Sequence, residues 1–372
     1  MSTSIFVMTH KKAVAPADPC YRLLQVGRAS HEDLGYLGDD SGDHISAENC
    51  HWGELTGYYW LWKNYPGQEA IGVCHYRRFF GDAAGAYTGA RYDGILAEYD
   101  LITSELVKGE KSCREAYAEA HHIEDLEAVE RAMKRVAPDY YEAYEKVLDG
   151  RDNYYGNLSV MPRALFDEYC SWMFSVLMEA SEEIDVSGYD AYHARVFGFL
   201  SETFLMTFVR QNGLRPYESP ILFTGEKTET VELKARVAGL LREKKLEEAI
   251  TCFSQALRER PDLELPASDL RHEIPMIGSI LVILREEMKA GFSGFAAISW
   301  EQEELIAHYR RLREVLDRLG RNMQTEEDLT YLNTCHLSGI ALEVILQNDL
   351  YRVLQCEPLQ ADVIRCKLYG AD

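Results

Sequence analysis

A short apolar run at residues 71–74 leads directly into the sequence His75-Tyr76-Arg77-Arg78. The end of a buried strand is where open α/β sheets bind ligands. Arginine stays charged and pairs with phosphate oxygens through two parallel hydrogen bonds. This stretch therefore predicts an anion site at a strand end. Pairing of the arginines with nearby carboxylates is the alternative that the residues leave open.

Acidic residues offer a second kind of chemistry. Asp39, Asp40 and Asp43 lie in the segment GDDSGDHIS, which lacks the regular ligand series and the final glutamate of an EF-hand calcium loop. Ser46, later in this segment, is predicted to cap a helix. Glu54 lies in an otherwise aromatic helix, where a buried carboxylate needs a partner, and an arginine is the natural one. We interpret Glu54 first as a positioning residue and second as a catalytic one.

Composition restricts the classes of function. The formal charge of −22, from 39 basic and 61 acidic side chains, disfavours non-specific binding of nucleic acid. The sequence contains no apolar run long enough for a transmembrane helix, and its first residues do not match a signal peptide. The nine cysteines are scattered without a CxxC pair and indicate reduced thiols. We expect a cytoplasmic protein, with peripheral association at the inner face of the cell membrane as an option.

The pattern of elements changes near residue 225. Of 23 tyrosines, 19 lie before this point, as do four of the five tryptophans. Apolar runs at 4–10, 21–27, 70–76 and 99–104 alternate with helical patterns, which favours an α/β domain with a mostly parallel sheet over residues 1–225. Helices are predicted at 48–64 and 193–213, the second closed by Gly213. Residues 226–372 are predicted to be all helical.

The second domain begins with a pattern typical of one tetratricopeptide repeat at about residues 231–261. The residues that match the repeat are Leu240, Ala249, Phe253, Ala256 and Pro261. One repeat cannot bury its own apolar face, so it must stack on helices predicted at 274–290, 300–320 and 326–356. These helices either bind a protein partner, mediate self-association or simply cap the first domain.

Four sequence blocks, taken in order, resemble a bacterial family of capsular and exopolysaccharide biosynthesis proteins. The blocks are DDSGDHISAENCHWGELTGYYWLWKN, GVCHYRRFF, YYGNLSVMPRALFDEYCSWMF and RVFGFLSETF. That family is catalogued as a domain of unknown function and is similar to GT-A type glycosyltransferases, some of them galactofuranosyltransferases. The resemblance covers about residues 4–223. It implies an inverting hexosyltransferase that moves a sugar from a UDP-sugar, with UDP-galactofuranose as one candidate, to a lipid-linked or polysaccharide acceptor.

The resemblance also implies roles for individual residues. GT-A enzymes usually hold a divalent ion with an Asp-x-Asp motif, and here the corresponding strand end carries His75, Arg77 and Arg78. Mn²⁺ or Mg²⁺ is thus an option that the sequence does not require, with His75 as one candidate ligand. The residues assigned to the donor site are His10, Asp43, Asn49, His75, Arg77 and Arg78. Those assigned to the acceptor site are Asn157, Arg195 and Asp190.

Glu202, in the block RVFGFLSETF, matches the acidic residue by which inverting GT-A enzymes activate the acceptor. Gly198 in the same block is expected to let another backbone approach closely. Glu54 and Asp190 are the next candidates for the base. Two other functions stay open at this point: a non-catalytic sugar- or nucleotide-binding scaffold of a polysaccharide synthesis complex, and a different phosphosugar or nucleotidyl transferase.

Overall fold

The structure is a computed structural model that describes residues 2–67, 70–348 and 357–369. The chain forms two compact units, Met1–Thr224 and Gly225–Asp372. The first unit is a mostly parallel sheet flanked by helices and the second is helical, so the predicted fold class is confirmed. Among the described residues, no helix is both long and apolar enough to cross a membrane.

The strands of the first unit form one large sheet and a separate two-stranded ribbon. In chain order they are β1 (Thr3–Thr9), β2 (Tyr21–Gln25), β3 (Leu37–Gly38), β4 (Ala70–His75), β5 (Arg78–Asp82), β6 (Gly85–Ala86), β7 (Leu101–Ser104), β8 (Val107–Lys108), β9 (Asp152–Asn153), β10 (Ser159–Met161), β11 (Pro216–Ser219) and β12 (Ile221–Phe223). The main sheet has the order β11-β7-β10-β4-β1-β2-β3, and β8 pairs with β9. Within this order only β10 runs antiparallel to its neighbours.

The helices of this unit in chain order are α1 (Asn49–Trp52), α2 (Leu55–Asn64), α3 (Gly89–Leu96), α4 (Cys113–Ala120), α5 (Ile123–Val136), α6 (Pro138–Leu148), α7 (Arg163–Ser181), α8 (Val196–Leu200) and α9 (Phe204–Gln211). Strand β1 is buried along its whole length. Its residues alternate between two apolar cores, with Phe6 and Met8 in one and Ile5 and Val7 in the other. The sheet is therefore covered on both faces, which explains why its strands consist of continuous apolar runs in the sequence.

Two predicted helices are interrupted, and both interruptions lie near the candidate site. The helix predicted over 48–64 breaks at Gly53, whose φ of 53° ends α1 immediately before Glu54 and α2. The helix predicted over 193–213 is divided by a 3₁₀ turn at Ser201–Thr203. Gly213 does adopt the left-handed φ of 61° expected after a helix end.

The second unit consists of helices around its own apolar core. They are α10 (Thr228–Arg242), α11 (Leu246–Glu259), α12 (Ile274–Lys289), α13 (Gly294–Ile298), α14 (Gln302–Gly320), α15 (Glu326–Thr334), α16 (Gly339–Gln347) and α17 (Ala361–Tyr369). The ring of Phe253 lies 3.3 Å from the position that a Cβ on Gly278 of α12 would occupy, so α11 packs closely on α12. The identity of α10 and α11 as a tetratricopeptide repeat stays a prediction.

The prediction of one long helix over 326–356 is wrong for residues 326–348, because α15 and α16 are separate helices. Residues 349–356 lie outside the described part of the chain.

Candidate active site

The candidate site lies where β4 ends. His75 is the last residue of β4, and β5 starts at Arg78, so Tyr76 and Arg77 form a tight hairpin turn. Strand β10 runs antiparallel to β4 with Ser159 opposite Val73, which brings the residues just before β10 beside the end of β4. Those residues are Gly156 and Asn157. One edge of the sheet therefore gathers side chains from segments about 80 residues apart in sequence.

Asn157 connects the segments around this edge. Its Nδ2 donates hydrogen bonds to Oε1 of Glu54 at 2.7 Å and to Oγ of Ser201 at 2.9 Å. Its carbonyl accepts a hydrogen bond from the hydroxyl of buried Tyr58 at 2.9 Å. The residue has a φ of 48°, a conformation that asparagine tolerates better than most side chains. Asn157 was predicted to read acceptor hydroxyls, but its amide hydrogens are engaged within the protein.

Glu202 lies in the 3₁₀ turn between α8 and α9. The amide of Gly156 donates to its Oε2 at 2.6 Å, and Nδ2 of Asn153 donates to its backbone carbonyl at 3.1 Å. Burial raises the pKa of the Glu202 carboxyl to about 7, and the negative charge of Glu54 acts in the same direction. The hydrogen bond from Gly156 and the nearby guanidiniums of Arg78 and Arg195 act in the opposite direction. Glu202 is therefore poised to exchange a proton near neutral pH.

Two guanidiniums near Glu202 have no carboxylate partner. Arg78 and Arg195 are both half-buried, and neither guanidinium forms a hydrogen bond or salt bridge with any residue that the structure describes. Arg78 lies against Gly156, since a Cβ there would be 3.1 Å from its Nη1. Arg195 lies over the ring of Phe199 at 5.2 Å. The alternative that Arg77 and Arg78 pair with local carboxylates is therefore not supported for Arg78.

His75 is not a third cation. Burial lowers the pKa of its imidazole to about 4, against the opposing influence of Glu54, and the charge of Arg78 lowers it further. At pH 7 the ring is neutral, and its Nε2 is buried without a hydrogen-bond partner among the described residues. Arg77, between His75 and Arg78, is 6% exposed. The hairpin thus presents one neutral ring and one accessible guanidinium.

The predicted arginine partner of Glu54 is wrong, because its carboxylate accepts a hydrogen bond from the side-chain amide of Asn157. The expectation that Gly198 admits a close backbone is also wrong, since a Cβ there would meet nothing within 4 Å. Its carbonyl instead accepts a hydrogen bond from Ser201 at 2.8 Å. The space beside Gly198 is open.

Several residues assigned to the site by resemblance lie elsewhere. Asp43 accepts a hydrogen bond from Tyr59, and its backbone is bonded to Asn64 at the C-terminal end of α2. Glu54 precedes the other end of α2, about 15 Å away along the helix. The side-chain amide of Asn49 donates to the Gly53 carbonyl at 2.6 Å and supports the break between α1 and α2. Asp43 and Asn49 thus form hydrogen bonds within the protein, and their assignment to the donor site stays a prediction.

The acidic segment around Asp39 is held together internally. Asp39 is fully buried and accepts hydrogen bonds from the amides of Gly27 and Arg28 and from the hydroxyl of Ser46. Asp40 forms a salt bridge with Arg28 at 3.3 Å. Ser46 therefore bonds Asp39 and does not cap the following turn, contrary to the prediction.

The remaining candidates are His10 and Asp190. His10 follows β1, is exposed, and contacts the ring of Tyr76 edge to face at 5.7 Å. Both oxygens of Asp190 are used in its own turn, where they bind the amides of Tyr192 and His193 and the imidazole of His193. Within the described ranges, no three His, Cys, Asp or Glu side chains are grouped so that they could hold a metal ion.

Sequence reasoning missed the residues that support Glu202 and Glu54. Asn153, Gly156 and Ser201 bind the two glutamates or Asn157, and none was selected as a candidate. The dipeptide Gly156-Asn157 before a strand is a turn signal that could have indicated the left-handed backbone.

Comparison with known proteins supports a relationship to glycosyltransferases. The profile of the family described as a domain of unknown function (DUF4422) matches residues 4–213, more than half of the chain. A solved apo structure of the bifunctional glycosyltransferase WbbM superposes with a TM-score of 0.56 and 27% sequence identity. The match covers 61% of this chain and 46% of that one, so this chain spans about half of the length of its structural relative. Comparison with curated protein sequences gives no match.

Proposed function

The chain belongs to the family described as a domain of unknown function (DUF4422), and from this membership and the site geometry we propose that it is a glycosyltransferase. The observation that carries the proposal is Glu202, a carboxyl with a pKa near 7 that lies near two guanidiniums, neither of which forms a salt bridge with a residue that the structure describes. The donor is a UDP-sugar, with UDP-galactofuranose as one candidate. The acceptor is a glycan or lipid-linked glycan of a capsule, exopolysaccharide or other cell-surface polymer.

Arg78 binds the diphosphate of the donor. Its half-buried guanidinium at the end of β4 can pair with two phosphate oxygens and supplies positive charge from the chain itself. Buried Arg77 adds to the positive potential of the hairpin. Neutral His75 adds no charge at this strand end. The guanidiniums stabilise the negative charge that develops on the departing UDP.

Glu202 acts as the general base. Its ionised carboxylate takes the proton of the acceptor hydroxyl while the hydroxyl oxygen forms a bond to the anomeric carbon of the sugar. The bond from that carbon to the diphosphate breaks, and UDP leaves with the bonding electrons. Attack from the face opposite the diphosphate inverts the anomeric configuration.

Glu54 and Asn157 keep the base in place. Asn157 bonds Glu54, and the neighbouring Gly156 amide bonds Glu202, so a single peptide segment holds both carboxylates. The negative charge of Glu54 keeps the proton affinity of Glu202 high. Glu54 is thus a positioning residue that tunes the base.

A donor screen tests the proposal. The protein is incubated with several UDP-sugars, with and without EDTA, and release of UDP and transfer to an added glycan are measured. Glu202→Gln should lower kcat by about 10²- to 10⁴-fold, because it removes the base. Its affinity for UDP should stay close to that of the parent protein. Glu127→Gln, the same change at an exposed position of α5, is the control.

The outcomes separate the alternatives. A protein that binds UDP-sugars but neither hydrolyses nor transfers them is a binding scaffold. Stabilisation by a nucleotide other than UDP indicates a different phosphosugar or nucleotidyl transferase. A Glu202→Gln variant that transfers sugar at the parent rate would show that Glu202 is structural.

A further inference from the structure

We propose that the acceptor carries a negatively charged group next to its reacting hydroxyl and that Arg195 with Phe199 forms the subsite that binds this group. The inference rests on the proposed glycosyl transfer at Glu202, and it defines the chemical class of the acceptor. The ligand is an anionic sugar, either a uronic acid or a sugar that carries a phosphate.

Arg195 is a half-buried cation without an anionic partner in contact. It belongs to the 3₁₀ turn His193–Arg195 and forms no salt bridge with the described residues. Several other arginines of the same unit either pair with carboxylates, such as Arg114 with Glu130 at 2.7 Å and Arg135 with Glu183 at 2.6 Å, or are exposed, such as Arg91 and Arg210. A chain with a net charge of −22 offers many carboxylates, so an unpaired guanidinium at this place is notable. A ligand anion would offset the cost of removing it from water.

Arg195 and Arg78 come from different segments of the chain. Arg78 lies on the β4–β5 hairpin, and its charge lowers the pKa of both His75 and Glu202. Arg195 comes from the turn before α8, and its charge lowers the pKa of Glu202. In an inverting displacement the diphosphate departs on one side of the anomeric carbon and the acceptor arrives on the other. The proposal assigns the hairpin arginine, which adjoins the end of β4, to the diphosphate and Arg195 to the acceptor.

An aromatic surface adjoins Arg195. Phe199 lies beneath the guanidinium and stacks on the imidazole of His121 at 4.1 Å. Both rings are half-buried, as is Gly198, beside which the space is open. Because the ring of Phe199 already contacts the guanidinium and His121, the open space beside Gly198 is what accommodates a sugar ring, while the guanidinium binds an anion bidentately. The two features together fit an anionic sugar better than a neutral one.

The test compares three acceptors in the presence of UDP and of the donor selected by the screen. They are methyl β-glucoside, methyl β-glucuronide and glucose 1-phosphate, which distinguish a neutral sugar, a carboxylate and a phosphate. Binding is measured by saturation-transfer NMR titration, and transfer is measured as kcat/KM. The parent protein should favour at least one anionic acceptor by about 10- to 100-fold, as expected for one charge-assisted contact. This preference should decrease as salt is added.

Variants assign the preference to Arg195. Arg195→Gln should abolish the preference for the anion, and Arg195→Lys should restore part of it. Arg91→Gln is the matched control, because Arg91 also lies over an aromatic ring, Tyr87 at 5.5 Å, but on α3. That control should keep the full preference.

Three results would overturn the inference. The first is equal binding of all three acceptors by the parent protein, a result that does not depend on whether a variant folds. The second is an anion preference that survives in folded Arg195→Gln. The third is a loss of UDP affinity in Arg195→Gln as large as in Arg78→Gln, which would place Arg195 in the donor site. Absence of transfer from every UDP-sugar would instead refute the proposed function, and the NMR titration would still decide whether the anion subsite exists.

Discussion

Replacement of Glu202 by glutamine should stabilise the first unit at alkaline pH while it removes the base. Burial raises the pKa of Glu202 from 4.5 to about 7 in the folded protein. In the unfolded chain the pKa of this carboxyl returns to 4.5. Between about pH 4.5 and pH 7 the folded state therefore binds more protons than the unfolded state. The free energy of unfolding contributed by this group is therefore fully present below about pH 4.5 and is lost as pH rises through about 7.

The size of the effect follows from the two pKa values. One pH unit of separation corresponds to about 1.4 kcal/mol, so the interval from 4.5 to about 7 sets an upper bound of about 3 kcal/mol. Because Glu202 keeps some contact with solvent, we expect about 1 to 2 kcal/mol at pH 8. Glutamine retains an oxygen that can accept the hydrogen bond from Gly156 and carries no charge to desolvate.

Urea unfolding followed by tryptophan fluorescence measures the effect. Four of the five tryptophans lie in the first unit, so this signal reports mainly on the unit that contains Glu202. The gain in unfolding free energy for Glu202→Gln over the parent should be smallest near pH 4 and largest near pH 8, and Glu127→Gln should show no such trend. Equal stability of the parent and Glu202→Gln at pH 8 would mean that Glu202 titrates at an ordinary carboxyl value, and the argument for a base poised near pH 7 would fail.

Three further predictions concern the neighbours of Glu202. Burial and the negative charge of Glu54 both raise the pKa of Glu202, and Glu54→Gln removes the second cause. The acidic limb of the pH profile of kcat/KM should therefore move to lower pH. An unmoved limb would mean that Glu54 does not influence the pKa of Glu202. Arg78→Gln should weaken UDP binding at least tenfold in calorimetry, and parent binding should persist in EDTA; unchanged affinity would remove Arg78 from the donor site. Asn157→Ala should cost about 1 to 3 kcal/mol of unfolding free energy for the lost hydrogen bonds plus about 1 kcal/mol of backbone strain. Asn157→Gly should avoid the strain. Equal losses of unfolding free energy in the two variants would therefore show that backbone strain does not contribute to the cost of Asn157→Ala.

The sequence alone determined the architecture, because its signals are local. Continuous apolar runs identify strands that are covered on both faces, and helical periodicity after residue 225 identifies the helical region. The change from apolar to polar residues after Cys74 located the end of β4 at His75, and Arg78 lies just beyond it at the start of β5. These properties depend on residues close together in the chain and do not need a knowledge of distant contacts.

The tertiary structure decided which polar residues meet and in which charge state. Glu54 bonds Asn157, which is 103 residues away, and not an arginine. His75 is neutral because burial removes its ring from water, which no local pattern reports. Asp43 lies beside the opposite end of α2 from Glu54, although only ten residues separate them in sequence. Desolvation and hydrogen bonding depend on the surroundings that distant segments create. The raised pKa of Glu202, and the lack of a carboxylate partner for Arg78 and Arg195 within the described part of the chain, therefore arise only on folding.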